Sequence, residues 1–321
     1  KTGNIKNPKN LYTLQTEAGK SYKIKIDFKQ VKDETYFNFD LVEGLPLNIS
    51  NTLEKLKDID IIIFAGGISP SLEGEEMNVS ATGFKGDRTD IEFPAVQRKV
   101  LAALKEAGKK VILVNFSGSA MALTPETKSC DAILQAWYPG EEGGTAIVNV
   151  LFGDYNPAGR LPITFYKSID QLPDFENYSM KGRTYRYMQE EPLFPFGYGL
   201  SYTTFAFGKI HINKNSLSAG EKVTLHIPIK NIGDRDGVEV VQIYIQRQAD
   251  KEGPVKTLRA FKRVEIPKGK TQEVKIELPY VAFEWFDPTT NTMRPIQGEY
   301  NILYGNSSRM KDLQSAKIQI Q

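Results

Sequence analysis

The chain contains Ile59-Asp60-Ile61-Ile62-Ile63-Phe64-Ala65-Gly66-Gly67, a nearly continuous apolar run that ends in two glycines. Such runs form strands that are buried on both faces, as in parallel sheets. A second run, Lys110–Phe116, follows, and the apolar residues of Pro94–Ala107 between them have helical spacing. Ala132–Trp137 predicts a further short strand, and Gly143–Phe152 predicts a further helix. Strands that alternate with helices in this way predict an α/β domain with a parallel sheet.

The remainder of the chain has strand periodicity without helices. Residues 13–42 alternate apolar and polar side chains, for example at Tyr22–Phe28 and Tyr36–Leu41, and predict strands. Residues 205–321 contain short alternating segments between turns, which are typical of an immunoglobulin-like sandwich: Lys222–Ile229, Gly237–Gln246, Val264–Pro267, Glu273–Leu278 and Gly298–Tyr304. We therefore predict a β-rich segment (residues 1–45), a three-layer α/β sandwich (residues 46–202) and a fibronectin type III-like β-sandwich (residues 203–321).

Composition argues against several classes of partner. Lys and Arg number 41 against 39 Asp and Glu, so no strong field attracts nucleic acid or an anionic membrane. No apolar stretch approaches the roughly 18–20 residues that cross a bilayer. One cysteine, Cys130, and two histidines offer no zinc spacing, and neither a metal nor another cofactor is predicted. The chain starts at Lys1 without an initiator Met or a signal-peptide core, which favours a processed product or a piece of a longer protein.

An acidic loop follows the first apolar run directly. It reads Ser69-Pro70-Ser71-Leu72-Glu73-Gly74-Glu75-Glu76-Met77 and lies where functional loops of parallel sheets are found. Carboxylates in a cleft are the groups that cleave glycosidic bonds, and crowding of Glu73, Glu75 and Glu76 favours retention of a proton on one of them. The alternative is a Glu-rich surface loop that is only solvated.

Two other stretches carry candidate substrate-binding residues. Arg88, in Gly86-Asp87-Arg88, either fixes the loop through an Asp–Arg pair or binds substrate hydroxyls or a carboxylate. Trp137 begins Trp137-Tyr138-Pro139-Gly140-Glu141-Glu142-Gly143-Gly144, where aromatic faces beside carboxylates suit sugar stacking. Acids at a helix N-terminus are equally explained as partners of the helix dipole.

A serine esterase is a third possibility. Ser117 and Ser119 follow the second buried run, but the Gly-x-Ser-x-Gly elbow is not present there. A Ser–His pair needs a histidine within hydrogen-bond reach, and His211 and His226 both fall in predicted strands of the sandwich. These serines are better explained as residues that tighten a strand-to-loop turn.

Several long stretches, in this order, resemble the C-terminal half of a family 3 glycoside hydrolase. They are Ser71–Glu76, Gly86–Arg88, Ala136–Gly144, Leu151–Pro162 and Phe194–Tyr202. The Glu-Gly-Glu form of the acidic loop most resembles the β-xylosidase branch, whereas β-glucosidases tend to carry a Ser-Gly-Glu-Gly-like form. The first 45 residues resemble the end of a protective-antigen-type carbohydrate-binding insert.

The resemblance implies a divided catalytic apparatus. Enzymes of this family take an Asp nucleophile from a (β/α)8 barrel and an acid/base glutamate from the loop that matches Glu73–Glu75. No Ser-Asp-Trp or Ser-Asp-Tyr nucleophile motif occurs in this chain. Retaining chemistry needs the two carboxyl groups about 5–5.5 Å apart, so we expect the chain alone to be inactive and its partner to be the missing N-terminal barrel. Counting from the strand end favours Glu73, whereas counting back from Asp87-Arg88 favours Glu75.

The sequence thus predicts the acid/base portion of a retaining, exo-acting β-xylosidase or β-glucosidase that hydrolyses β-linked plant oligosaccharides. By resemblance, Glu73 and Glu75 are the candidate catalytic residues, and the enzyme is expected to be periplasmic or secreted. The alternative is a non-catalytic carbohydrate-binding or scaffold module, which the missing nucleophile and the terminal sandwich both permit.

Overall fold

The computed structural model describes residues 14–27, 47–73, 77–79, 84–86 and 88–321. Predictions for any other residue, among them the strand at Tyr36–Leu41, lie outside the described part of the chain. Residues 14–27 form no strand. The prediction at Tyr22–Phe28 is therefore not met over residues 22–27, because alternation yields a strand only where a partner strand satisfies the backbone.

The first domain alternates helices with strands. Its elements are α1 (Ile49–Lys55), β1 (Ile61–Gly67), α2 (Pro70–Glu73), β2 (Met77–Val79), β3 (Phe84–Gly86), α3 (Ala95–Glu106), β4 (Lys110–Phe116), α4 (Glu126–Ser129), β5 (Ala132–Gln135), α5 (Gly143–Phe152) and α6 (Thr184–Tyr187). Among the described residues, β1, β4 and β5 form a parallel sheet in that order, and β2 and β3 form an antiparallel pair. The predicted α/β domain with a parallel sheet is confirmed.

Helix α3 covers one face of the parallel sheet. Leu101 and Leu104 of the helix are buried in one hydrophobic cluster with Val111 and Leu113 of β4. This helix is the crossover between β1 and β4, and Gly108, two residues after its last residue Glu106, has a φ of 75°. Glycine adopts this left-handed conformation without the steric cost that a Cβ atom brings, so the chain turns directly into β4.

The second domain is a sandwich of two antiparallel sheets. Its strands are β6 (Phe205–Phe207), β7 (His211–Ile212), β8 (Ser216–Leu217), β9 (Lys222–Asn231), β10 (Gly237–Gln246), β11 (Thr257–Ile266), β12 (Thr271–Pro279), β13 (Glu284–Asp287), β14 (Thr292–Pro295), β15 (Gly298–Gly305) and β16 (Gln314–Ile320). The larger sheet has the order β11-β10-β15-β16-β8, in which only β8 runs parallel to its neighbour, and the smaller has the order β12-β9-β6, with β7 also on β9. The predicted fibronectin type III-like sandwich is confirmed.

Several strands of the sandwich differ from the sequence prediction, and no predicted segment covers β6, β7, β8, β13 or β14. The predicted segment Val264–Pro267 is only the end of β11, whose exposed Phe261 breaks the alternation that the prediction relied on. Strand β16 was not predicted, although Ile318 and Ile320 alternate with exposed residues and are buried. Its polar residues and its place near the chain end weaken the local signal.

An ion pair joins the two domains. Arg160 donates to Glu239 of β10 at 2.5 Å, and both side chains are almost fully buried. Nearby, Asn156 accepts hydrogen bonds from Ser201 Oγ and the Tyr202 backbone N–H and donates to the Asp236 carbonyl. These contacts hold the α/β domain against the sandwich.

Candidate active site

The carboxyl end of β1 is closed by a side chain from α3. Gln97 Oε1 accepts a hydrogen bond from the Gly67 backbone N–H, and Gln97 Nε2 donates to the Gly67 carbonyl, both at 2.8 Å. Gly67 has a φ of 127°, and a Cβ atom there would collide with the carbonyl of Phe116. Gly67 therefore allows the ends of β1 and β4 to approach each other closely, and Gly66 leaves room for the side chains of Phe64 and Gln97.

Glu73 lies at the end of the single helical turn α2. The turn begins at Pro70, whose fixed φ suits the first helical position, and the backbone N–H of Glu73 donates to the Ser69 carbonyl at 2.9 Å. Leu72 packs against the hydrophobic cluster beneath the sheet edge. Glu73 is therefore placed at the carboxyl end of the parallel sheet, as the sequence predicted for this loop.

Three donors from the loops after β4 and β5 bind the Glu73 carboxylate. Ser119 Oγ donates to Oε1, while Tyr138 Oη and the Gly118 backbone N–H donate to Oε2, the latter at 3.2 Å. Glu73 is half-buried, and burial by itself raises the pKa of this carboxyl. The hydrogen bonds from Ser119, Tyr138 and Gly118, with the nearby charge of Arg88, outweigh that effect and hold the pKa below its ordinary value. Glu73 is thus an ionised hydrogen-bond acceptor in this arrangement.

A buried polar network supports the loop that presents Gly118 and Ser119. Asn115 donates to Gln135 Oε1 at 2.6 Å and to Ser117 Oγ at 3.2 Å, and Ser117 Oγ donates to the Ser119 carbonyl at 2.9 Å. Asn115 and Ser117 have no exposed surface. Because buried polar groups are costly to leave unpaired, this network holds the loop in one conformation. Ser117 has the turn-tightening role that the sequence favoured.

An ion pair between the partly exposed Arg98 and the buried Glu126 fixes the far side of the same loop. Arg98 of α3 donates to Glu126 through Nε at 2.7 Å and through a terminal nitrogen at 3.2 Å, and it also donates to the Ala122 carbonyl at 3.1 Å. The other terminal nitrogen of Arg98 donates to Glu92 at 2.9 Å. The Glu126 side chain is completely buried. Helix α3 therefore anchors both the end of β1 and the loop after β4.

Tyr138 and Trp137 point in different directions because the backbone turns sharply at Trp137. Trp137 has a φ of 58°, which is uncommon for a residue with a large side chain. Its ring packs against Phe165 with centroids 6.1 Å apart, edge to face, and it borders the hydrophobic cluster. Tyr138 instead reaches Glu73 and keeps 38% of its surface exposed. Burial and the Glu73 carboxylate raise the pKa of Tyr138 to about 12, so its phenol stays a neutral donor.

Arg88 lies at the edge of the site with its side chain mostly buried. It forms an ion pair with Asp90 at 3.8 Å, and its charge acts on Glu73. Asp87, Glu75 and Glu76 lie outside the described residues. Of the predicted site residues, Arg88 therefore lies near enough for its charge to lower the pKa of Glu73, and Trp137 lies next to Tyr138, the residue that contacts Glu73.

Other chemistry has little support in the described structure. His211 and His226 face each other on β7 and β9 of the sandwich, where His226 pairs with Glu273, whereas Ser119 is bound to Glu73. Within the described ranges, no cluster of three or more His, Cys, Asp or Glu side chains is suited to a metal ion. None of the helices that the structure describes is long and apolar enough to cross a membrane.

Tyr138 and Gly118 are the site residues that the sequence analysis did not single out. Tyr138 lies in the aromatic stretch Trp137–Gly144, in which the larger indole of Trp137 is the stronger local signal for sugar stacking. Gly118 gave no local signal, although a Cβ atom there would lie 2.6 Å from the Tyr138 ring and 3.0 Å from Glu73 Oε2. Only the juxtaposition of three loops shows why glycine is needed at that position.

Comparison with known families identifies two regions of the chain. Residues 5–202 match the glycosyl hydrolase family 3 C-terminal domain, and residues 239–308 match the fibronectin type III-like domain. The chain is 52% identical over 307 residues to a xylan 1,4-β-xylosidase of Xylanibacter ruminicola, covering 95% of this chain and 35% of that protein. It is 35% identical over 278 residues to a periplasmic β-glucosidase of Salmonella typhimurium, covering 82% of this chain and 35% of the relative.

Solved structures give the same relationship. A β-glucosidase from Bifidobacterium adolescentis superposes with a TM-score of 0.75 at 27% identity, covering 87% of this chain and 42% of that chain. A β-glucosidase from Erythrobacter marinus superposes with a TM-score of 0.74 at 33% identity, covering 85% and 36%. The chain therefore spans about a third of the length of the curated relatives quoted above.

Proposed function

The chain belongs to family 3 of the glycosyl hydrolases, and we propose that it supplies the general acid/base of a retaining, exo-acting β-xylosidase or β-glucosidase. The nucleophile is then an Asp on the (β/α)8 barrel of the complete enzyme. Relatives that match this chain over about a third of their own length are named for β-xylosidase and β-glucosidase activities, which supports this division of labour.

The observation that carries the proposal is the tethering of the acidic turn to the sheet edge. Glu73 follows β1 and is bound by donors from the loops after β4 and β5, so a carboxylate-bearing segment is fixed where the three parallel strands end. Ligands of open α/β sheets bind at this edge. An acid/base group must be held precisely against the glycosidic oxygen, and this construction meets that requirement.

The chemistry requires one carboxyl group to act twice. In the first step it donates its proton to the leaving glycosidic oxygen while the nucleophilic Asp forms a bond to the anomeric carbon. In the second step the resulting carboxylate takes a proton from water, which displaces the Asp and releases the sugar. Glu73 and Glu75 are the two candidates for this group. Glu76, Arg88 and Trp137 are proposed to bind the substrate, a β-linked xylo- or gluco-oligosaccharide of plant origin.

The 52% identical relative is named a xylan 1,4-β-xylosidase, which supports xylan-derived oligosaccharides as the substrate and a role in xylan degradation. The relative from Salmonella typhimurium is named periplasmic, which supports a periplasmic or secreted location.

The test uses the complete enzyme, with Glu73 and Glu75 replaced together by Gln. We expect hydrolysis of xylobiose or cellobiose to fall by about 100- to 10,000-fold, the usual effect of losing a general acid/base. Azide should restore turnover of an activated aryl glycoside by attacking the glycosyl-enzyme in place of deprotonated water. Glu277→Gln, at an exposed position of β12 in the sandwich, is the matched control. Unchanged hydrolysis in the double variant would refute the proposal and leave a non-catalytic carbohydrate-binding or scaffold module as the better explanation.

A further inference from the structure

Glu73 makes contacts that suit a permanent anchor better than a proton donor. Both of its oxygens accept hydrogen bonds, from Ser119 on one side and from Tyr138 and Gly118 on the other. A general acid must hold a proton on one oxygen and direct it at the leaving group. These three donors occupy most of the roughly four acceptor sites of the carboxylate, so the ionised form is favoured and Oε2, with two donors, has no site left for a proton.

The anchor joins parts of the chain that are far apart in sequence. Ser119 and Tyr138 lie 46 and 65 residues after Glu73, and they belong to the loops after β4 and β5. The loop after β4 is itself held by the buried Asn115–Ser117 network, and Trp137 is held against Phe165. The donor loops have contacts of their own, and the hydrogen bonds of Glu73 tie the turn Pro70–Glu73 to both loops and hold the hydroxyl of Tyr138 in place.

Gly118 shows how closely this arrangement is fitted. A Cβ atom at Gly118 would lie 2.6 Å from the Tyr138 ring and 3.0 Å from Glu73 Oε2, so any side chain there would force the tyrosine and the carboxylate apart. Gly140, also in the loop after β5, has open space around its Cβ position. The two glycines therefore offer the same substitution with and without a disturbance of the anchor.

We propose that Glu73 is a positioning residue, which fixes the turn Pro70–Glu73 and the exposed ring of Tyr138 against the edge of the sheet, and that the proton is donated by another group of the site. The inference rests on the proposed glycosidase function. Tyr138, with its hydroxyl bound to Glu73 and more than a third of its surface exposed, is then available as a flat apolar surface for a sugar ring.

The experiment distinguishes the roles of Glu73 and Glu75 in the complete enzyme by comparing substrates whose leaving groups differ in their need for a proton. Glu73→Gln and Glu75→Gln are assayed on dinitrophenyl β-xyloside, whose departure needs no proton, and on phenyl β-xyloside, whose departure does. For Glu73→Gln we expect kcat/KM to fall by a similar factor on both substrates, about 10- to 100-fold, because a misplaced site slows every substrate. The alkaline limb of its pH profile should stay in place, and azide should restore no activity.

Two further variants, Gly118→Ala and Tyr138→Phe, test the anchor without touching a carboxylate, and Gly140→Ala is the control for the first. Gly118→Ala should lower kcat/KM at least about fivefold, whereas Gly140→Ala should leave it unchanged. Tyr138→Phe should raise KM in the parent, and it should add little to the loss in Glu73→Gln, since the two groups act through one contact. Thermal unfolding of each variant establishes that the loss is not one of folding.

The possible outcomes are distinct. A much larger loss on phenyl than on dinitrophenyl β-xyloside in Glu73→Gln, with azide rescue, overturns the inference and makes Glu73 the acid/base, while the proposed function stands. Unchanged kinetics in Glu73→Gln also overturn the inference. If neither glutamate shows leaving-group dependence or azide rescue, the proposed function itself fails.

Discussion

Replacing Arg98 by Met removes the partner of a carboxylate that has no contact with water. Glu126 is completely buried and receives two hydrogen bonds from the Arg98 guanidinium. Removing one member of a buried ion pair costs about 3–5 kcal/mol, because the remaining charge is left uncompensated. We expect Arg98→Met to lower the free energy of unfolding of the α/β domain by that amount. The double variant Arg98→Met/Glu126→Leu should recover most of it, since an apolar pair of similar volume needs no solvation.

The assay is urea unfolding followed by tryptophan fluorescence. A Trp285→Phe background leaves Trp137 as the single indole, so the signal reports the α/β domain. Lys105→Met is the matched control, because Lys105 pairs with Asp131 at 3.1 Å while both side chains remain over 40% exposed. An exposed pair contributes about 0.2–1 kcal/mol. If Arg98→Met costs no more than Lys105→Met, the account of Arg98 as the anchor of the site loop is wrong.

Three other substitutions test the framework by chemical or thermal unfolding. Gly67→Ala should lower the free energy of unfolding by about 1–3 kcal/mol, because the positive φ of Gly67 and the nearby carbonyl of Phe116 leave no room for a Cβ atom. A variant as stable as the wild type would contradict this backbone conformation. Arg160→Met should lower the free energy of unfolding by about 3–5 kcal/mol, because it leaves the carboxylate of Glu239, which is 1% exposed, without its ion-pair partner. The substitution should also speed proteolysis between the domains. A neutral effect would mean that the ion pair does not join the two domains. Burial lowers the pKa of Lys256 to about 8, below the roughly 10.4 of an unfolded chain, so the unfolded state binds more protons between these values. The free energy of unfolding of the parent protein should therefore rise from pH 8 to pH 10 relative to that of Lys256→Met. At pH 7 the Lys256→Met variant should be up to about 3 kcal/mol more stable than the parent. Parallel curves of stability against pH for the two proteins would refute this reasoning.

Local periodicity accounts for the elements that the sequence predicted with correct bounds. Strands Lys110–Phe116 and Gly237–Gln246 and helix Gly143–Phe152 agree with the structure to the residue. Each has a continuous or regular apolar pattern between clear turn residues. Strand β11 was predicted only in part, because its first half has exposed and half-buried residues in place of an alternating pattern.

The candidate site was predictable only in its position. A carboxylate loop directly after a buried strand must lie at the carboxyl edge of the sheet, and Glu73 does so. Which side chains meet Glu73 depends on the order of the strands, and no local pattern contains that order. The sequence therefore drew attention to Trp137, whereas the left-handed turn at that residue directs Tyr138 to the carboxylate.

The amino-acid sequence by itself determined the two-domain architecture, the family and the strand end that carries the acidic loop, because these depend on apolar periodicity and on long, ordered motifs. The tertiary structure alone decided that Glu73 is held as an ionised acceptor by Ser119, Tyr138 and Gly118. The physical reason is that these partners are brought together by the parallel pairing of β1, β4 and β5, and the ionisation of a carboxyl group follows from the donors that surround it.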